Sequence, residues 1–173
     1  MRATDPGRPE VTEYPTYAAA YVNLVPAGNI LDLLDKQIGE TTTLLRSADP
    51  ELAYAPGKWT VKQVVGHVVD TERIFAYRAL RIARNDSAPS PGFEQDDYVR
   101  YGPFAQCSLA DLLEEFRLVR ASSIALYNKL DPEAWQRTGV ANQFPVSVRG
   151  IAYLTAGHEL HHAKILREKY LAA

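Results

Sequence analysis

The feature that most limits what this chain can fold into is a set of four long stretches with helical periodicity, separated by loops marked by proline and glycine. Each stretch carries an apolar stripe that has to be buried, so the pattern predicts an all-α fold, a four-helix bundle. The first helix is expected from roughly Gly28 to Ser47, with Ile30, Leu31, Leu34, Ile38, Leu44 and Leu45 on its apolar side and Asp49-Pro50 ending it. The second is the best delimited, because Thr60 and Gln63 form a capping box, and it continues to about Asn85. A third starts at Ser108, places Asp111 in its first turn to suit the helix dipole, and runs to Leu130. Asp131-Pro132 stops it and starts a short turn at Trp135. The fourth opens at Ser147 and reaches almost to the C-terminus, with Gly150 and Gly157 weakening it locally.

Residues 1–20 are expected to form an N-terminal arm, with a helical turn around Tyr17 to Val22, and residues 21–173 the bundle domain. Between the second and third helices, Asp86 to Cys107 is long for a structureless connection. It fits a cap over a site and a plain crossover equally well.

Composition narrows the function classes. A length of 173 residues with 46% hydrophobic content suits one soluble domain. A formal net charge of −2 gives no basic footprint for nucleic acid or an anionic membrane. Met1 to Pro15 is polar and proline-rich, without the apolar core of a signal peptide, and no stretch approaches bilayer-spanning length; a cytoplasmic location is expected. The single cysteine, Cys107, excludes an internal disulfide and is read as an inert thiol.

All 4 histidines fall in two helices: His67 in Gly66-His67-Val68-Val69-Asp70, and three in His158-Glu159-Leu160-His161-His162. At about 100° per residue, His158 and His162 stack on one face with Ile151, Thr155 and Ile165, at positions that would otherwise be core leucines. His67 shares a sector with Val64, Thr71, Ile74 and Arg78 and also faces inward. Three inward imidazoles are costly to desolvate without partners, which points to a divalent transition metal held by His67, His158 and His162. His161 is left as a flanking residue. The text also satisfies H-E-x-x-H, the zinc-peptidase pattern, but Ile165 stands where the extended form needs glycine, and the few residues after it leave no room for a downstream ligand.

Pro56-Gly57-Lys58-Trp59-Thr60, the run from Gly66 to Arg78, and Gly157 to His162 together resemble the DinB-like superfamily, on the branch that includes bacillithiol-transferase-like proteins and metal-dependent hydrolases. That resemblance implies an up-up-down-down bundle, frequent homodimers, and a nickel or zinc ion on three histidines, here His67, His158 and His162. It does not imply DNA binding. Relatives in the wider superfamily use the metal with a low-molecular-weight thiol.

Three neutral ligands leave the ion's charge unquenched and a position open. The leading expectation is transfer of a low-molecular-weight thiol to an electrophilic small molecule. The alternatives are a hydrolase using metal-bound water, with Asp70 or Glu159 orienting groups or moving a proton, and a non-catalytic metal-binding dimeric bundle. Thr71 is placed to orient an imidazole or water. Arg78 and Arg81 are read as ion pairs with a neighbouring helix rather than as anion-binding groups. Tyr98 and Tyr101 are placed near the mouth of the site, and Trp59 and Trp135 are assigned to packing.

Overall fold

A computed structural model describes residues 5–172. Four long helices, α2 (Ile30–Leu45), α3 (Val61–Ala83), α5 (Leu109–Tyr127) and α7 (Val148–Ile165), form a four-helix bundle. Shorter elements decorate it: a 3-10 turn at Thr16–Ala18, α1 (Ala19–Val22), α4 (Gln95–Tyr101), α6 (Pro132–Gln136), and a closing π-helical turn at Leu166–Tyr170. Every long helix begins at a side-chain cap: Asn29 for α2, the Thr60–Gln63 capping box for α3, Ser108 for α5 and Ser147 for α7. Each cap accepts a bond from an otherwise orphaned N–H of the first turn.

Two elements lie outside the sequence expectation. Strands β1 (Thr138–Ala141) and β2 (Phe144–Ser147) pair antiparallel, with Ala141 opposite Phe144. Asn142 and Gln143 supply the positive φ of the two-residue turn. The segment from Asp86 to Cys107 is also not structureless: it contains α4, and Ser90 bridges to Ala141 of the hairpin.

Two apolar clusters mark the ends of the bundle. At one end the start of α2 (Ile30, Leu34) meets the end of α3 (Ile82), the end of α5 (Tyr127) and the start of α7 (Ile151). At the other, Leu45 of α2 meets Val61 and Val64 of α3, Leu112 of α5, and Leu166 beyond α7. The helices therefore run up, down, down and up. The four-helix architecture is the one expected, but its directions differ from the up-up-down-down order. The reason is that residues 84–108 are the connection that travels the length of the bundle, so α3 and α5 run parallel. In accord with this, Lys62 near the start of α3 donates to the carbonyl of Ala105, just ahead of α5.

Between the clusters lies a charged layer to which each long helix contributes. Arg120 of α5 donates Nε and Nη2 to Glu72 of α3 (2.9 and 2.8 Å), Nη2 to Glu159 of α7 (2.8 Å), and Nη1 to the Leu34 carbonyl of α2 (2.7 Å). Thr41 of α2 donates to the other oxygen of Glu159 at 2.6 Å. All three ionic side chains are at most 2% exposed.

The N-terminal segment is fastened to the bundle rather than trailing from it. Arg8 donates to the carbonyls of Val22 and Val25, and Glu13 accepts from Ser147 and Arg149 at the start of α7. Gly157 makes the close approach feasible, since a Cβ there would lie 2.2 Å from the Tyr21 carbonyl.

Replacing Arg120 with methionine would leave Glu72 and Glu159 buried without their cation, and is expected to lower unfolding free energy by about 3–5 kcal/mol in urea titrations. Simultaneous Glu72→Leu and Glu159→Leu should restore much of that loss. A single-variant cost below about 1 kcal/mol would contradict the account.

Candidate metal centre

The three histidines expected as ligands come together. His67 projects from the second turn of α3, and His158 and His162 from successive turns of the antiparallel α7. The Nε2 atom of His158 lies 3.0 Å from that of His67 and 3.2 Å from that of His162. Ligand nitrogens about 2.0–2.1 Å from a tetrahedral zinc ion would stand about 3.3 Å apart, so these imidazoles are spaced as the edges of such a polyhedron. His67 and His158 are buried and His162 is half-buried.

Burial shifts the three rings toward neutrality. Desolvation lowers His67 to about 4 and His162 to about 3, the latter helped by repulsion from His67 and His161. His158, the most enclosed, is pushed well below its ordinary range by burial and then by its two partners. Neutral imidazoles at neutral pH are the form that donates to a metal. Three lone-pair donors converging in a desolvated place, with no acid among them, fit a divalent cation.

The neighbours hold the rings in place. Trp59 packs on His67 with ring centroids 4.9 Å apart, so its assignment to packing holds, and what it packs against is one of the three converging histidines. Tyr21 meets His158 and His161 edge-on at 5.8 and 5.1 Å. His161 thus flanks the trio, as expected. Phe104, in the connection ahead of α5, fills the space left by Gly66, where a Cβ would fall 2.3 Å from its ring.

Two openings reach the trio. A cavity of about 360 Å³ is lined by His67, His158, Thr71, Phe75, Tyr21 and Arg78 among others. A second depression of about 310 Å³ reaches His162, beside Lys58, Trp59, Asp96 and Tyr170.

Other expected site residues are placed elsewhere. Both oxygens of Glu159 are occupied by Arg120 and Thr41, so it is neither solvated nor aimed at the trio. One residue's turn from His158 carries it toward α2 and α5. Asp70 accepts from Arg73, which also binds Glu115 on α5. Among the described residues, only the three histidines form a set of metal-ligating atoms within 4.8 Å of one another. Arg81 pairs with Asp86, just past its own helix, rather than with a neighbouring helix. Tyr101 is 77% exposed and Tyr98 packs on Phe93; Tyr17 and Tyr21 line the larger cavity instead. Cys107 is half-buried, with its Sγ 3.5 Å from the Pro103 carbonyl. Asp96, on α4, carries no signal of its place in the sequence, because the pattern of the connection does not reveal which of its carboxylates folds toward the site.

The sequence profile of the DinB superfamily matches residues 33–166. The chain belongs to that superfamily. A protein of Oceanobacillus iheyensis, OB0413, whose name provisionally assigns it to the metal-dependent hydrolases, is 23% identical over 134 residues, 76% of each chain. The structure of YfiT from Bacillus subtilis, described as a probable metal-dependent hydrolase with an unusual four-helix bundle topology, superposes with a TM-score of 0.72 at 14% identity, covering 94% of this chain and 90% of that one. Among the described residues, no helix is long and apolar enough to cross a membrane.

The depressed histidines make metal-free stability pH-dependent. Unfolded imidazoles take up protons near 6.5 while the folded ones wait until about 4 or below, so lowering pH favours the unfolded state. Denaturant titrations of chelator-treated protein should show stability falling as pH drops from about 7 to 5, with a smaller fall in His162→Gln. A flat profile would remove the buried-neutral assignment.

Proposed function

We propose that this DinB-superfamily protein is a metal-dependent enzyme that joins a low-molecular-weight thiol to an electrophilic small molecule, with His67, His158 and His162 holding one zinc or nickel ion. The observation that carries this reading is the pair of openings: one reaches His67 and His158, the other reaches His162. Two reactants can then approach one centre from separate sides. A dication on three neutral ligands supplies the positive charge that acidifies a thiol or a water at its open position.

The chain's own groups divide the remaining work. Phe75, Ile151 and Leu154 give the larger cavity an apolar wall that excludes water from the electrophile. In the second depression, Lys58 is a cation suited to the carboxylates that small biological thiols carry, and Trp59 and Tyr170 offer flat surfaces for the rest. Asp70 and Glu159 are tied to arginines, so neither is assigned a proton-transfer role in the thiol route.

Hydrolysis is the second reading. It is favoured by the names of the two relatives and by Asp96, a carboxylate lining the same depression as His162, where it is suited to accept a proton from a water.

Purified protein is expected to carry one equivalent of transition metal. Each of His67→Ala, His158→Ala and His162→Ala should weaken it by more than the roughly 10–100-fold that loss of an outer hydrogen-bond partner costs. Glutathione and 1-chloro-2,4-dinitrobenzene serve as probes for transfer, and p-nitrophenyl acetate without thiol for hydrolysis. Metal-dependent conjugation supports the first reading. Thiol-independent ester cleavage that falls in Asp96→Asn replaces it with the second, and absence of stoichiometric metal rejects both.

A further inference from the structure

The larger cavity has a second polar end that metal chemistry does not explain. Arg78, on the same face of α3 as His67, is only 7% exposed, yet among the described residues no carboxylate pairs with it. Its Nη2 donates to the Pro91 carbonyl at 2.6 Å, and the guanidinium lies over the face of Phe93 at 5.9 Å. Nε and Nη1 are left with donors to spare beside the cavity. Between Arg78 and the histidines, Thr71 is 3% exposed and its Oγ1 has no hydrogen-bond partner. Glu94 also lines the cavity, but it is solvent-exposed at the rim and forms no ion pair with Arg78.

A buried guanidinium without a counter-ion and a buried hydroxyl without a partner are both costly. One ligand satisfies both. We propose that the cavity binds an elongated organic acid, its carboxylate paired with Arg78, a polar atom of its chain bonded to Thr71, and its far end presented to His67 and His158. His67 and Arg78 stand eleven positions apart on the helix, a rise of about 16 Å between their Cα atoms, so a compact anion cannot touch both ends. The walls between, formed by Phe75, Ile151 and Leu154, are apolar and suit a hydrocarbon body. Arg78 thereby selects among electrophiles and fixes their orientation, while remaining remote from the reacting atoms. The proposal deepens the metal-dependent reading for the ligand's far end only; the Arg78 end stands apart from it.

Octanoate and its neutral counterpart octanamide are the probes, titrated calorimetrically into zinc-loaded protein and into His158→Ala. Octanoate should bind on the order of tenfold or more tightly than octanamide in both, and the preference should vanish in Arg78→Gln and persist in reduced form in Arg78→Lys. In the unmutated protein, octanoate should shift the Arg78 guanidinium NMR signal and octanamide should not, a readout that does not depend on any variant folding. The proposal is overturned if the two probes bind alike in the wild type or if the preference survives Arg78→Gln. A preference lost in His158→Ala but kept in Arg78→Gln also overturns it, by assigning the carboxylate to the metal. If the protein proves metal-free and the Arg78-dependent preference remains, the metal reading fails and the anion site stands.

Discussion

The contact on which the rest of this structure depends is the guanidinium of Arg120 between two buried carboxylates. It reaches one group on each of the other three long helices: Glu72 on α3, Glu159 on α7 and the Leu34 carbonyl on α2. Apolar packing sets which faces are buried but tolerates sliding of one helix along another. A charged group enclosed in the same place tolerates very little, because any shift leaves a desolvated charge unpaired. The layer therefore fixes the axial register of α3 against α7, and that register is what brings His67 level with His158.

The same layer explains why the two faces of α7 have different tasks. Glu159 turns toward α2 and α5 and belongs to the scaffold, while its neighbour His158 turns toward α3 and belongs to the centre. Two carboxyl groups also share one guanidinium inside the bundle, and Glu159 adjoins His158 in sequence. Burial raises the Glu159 carboxyl against the lowering by Arg120 and Thr41, so what charge it carries depends on the guanidinium rather than on solvent.

Access to the centre comes from the parts of the chain that are not bundle helices. The N-terminal segment supplies Tyr17 and Tyr21, the hairpin supplies Ala141 and Asn142, and the connection between α3 and α5 supplies Phe93, Phe104 and Asp96. Gly157 and Gly66 look like weak points in helices when read alone. They are the places where Tyr21 and Phe104 come close enough to enclose the histidines.

Much of this was legible along the chain, because helical periodicity, caps and inward-facing histidines are local properties. Three hundred and sixty degrees per 3.6 residues decides that His158 and His162 share a face, and Thr60 with Gln63 decides where α3 begins. The direction of each helix, the hairpin at Thr138–Ser147, the burial of Arg120, and the burial of Arg78 away from the carboxylates of the described residues were not legible, since each depends on what lies opposite in space. Glu159 shows the limit most clearly: its angle on α7 was readable, but whether that angle met solvent, metal or a buried arginine was not. The sequence by itself determined four helices and three candidate ligands, through spacing and chemistry. Only the tertiary structure decided that the ligands converge, which carboxylates serve the scaffold, and that an unpaired guanidinium shares their cavity, because those outcomes depend on packing between distant segments.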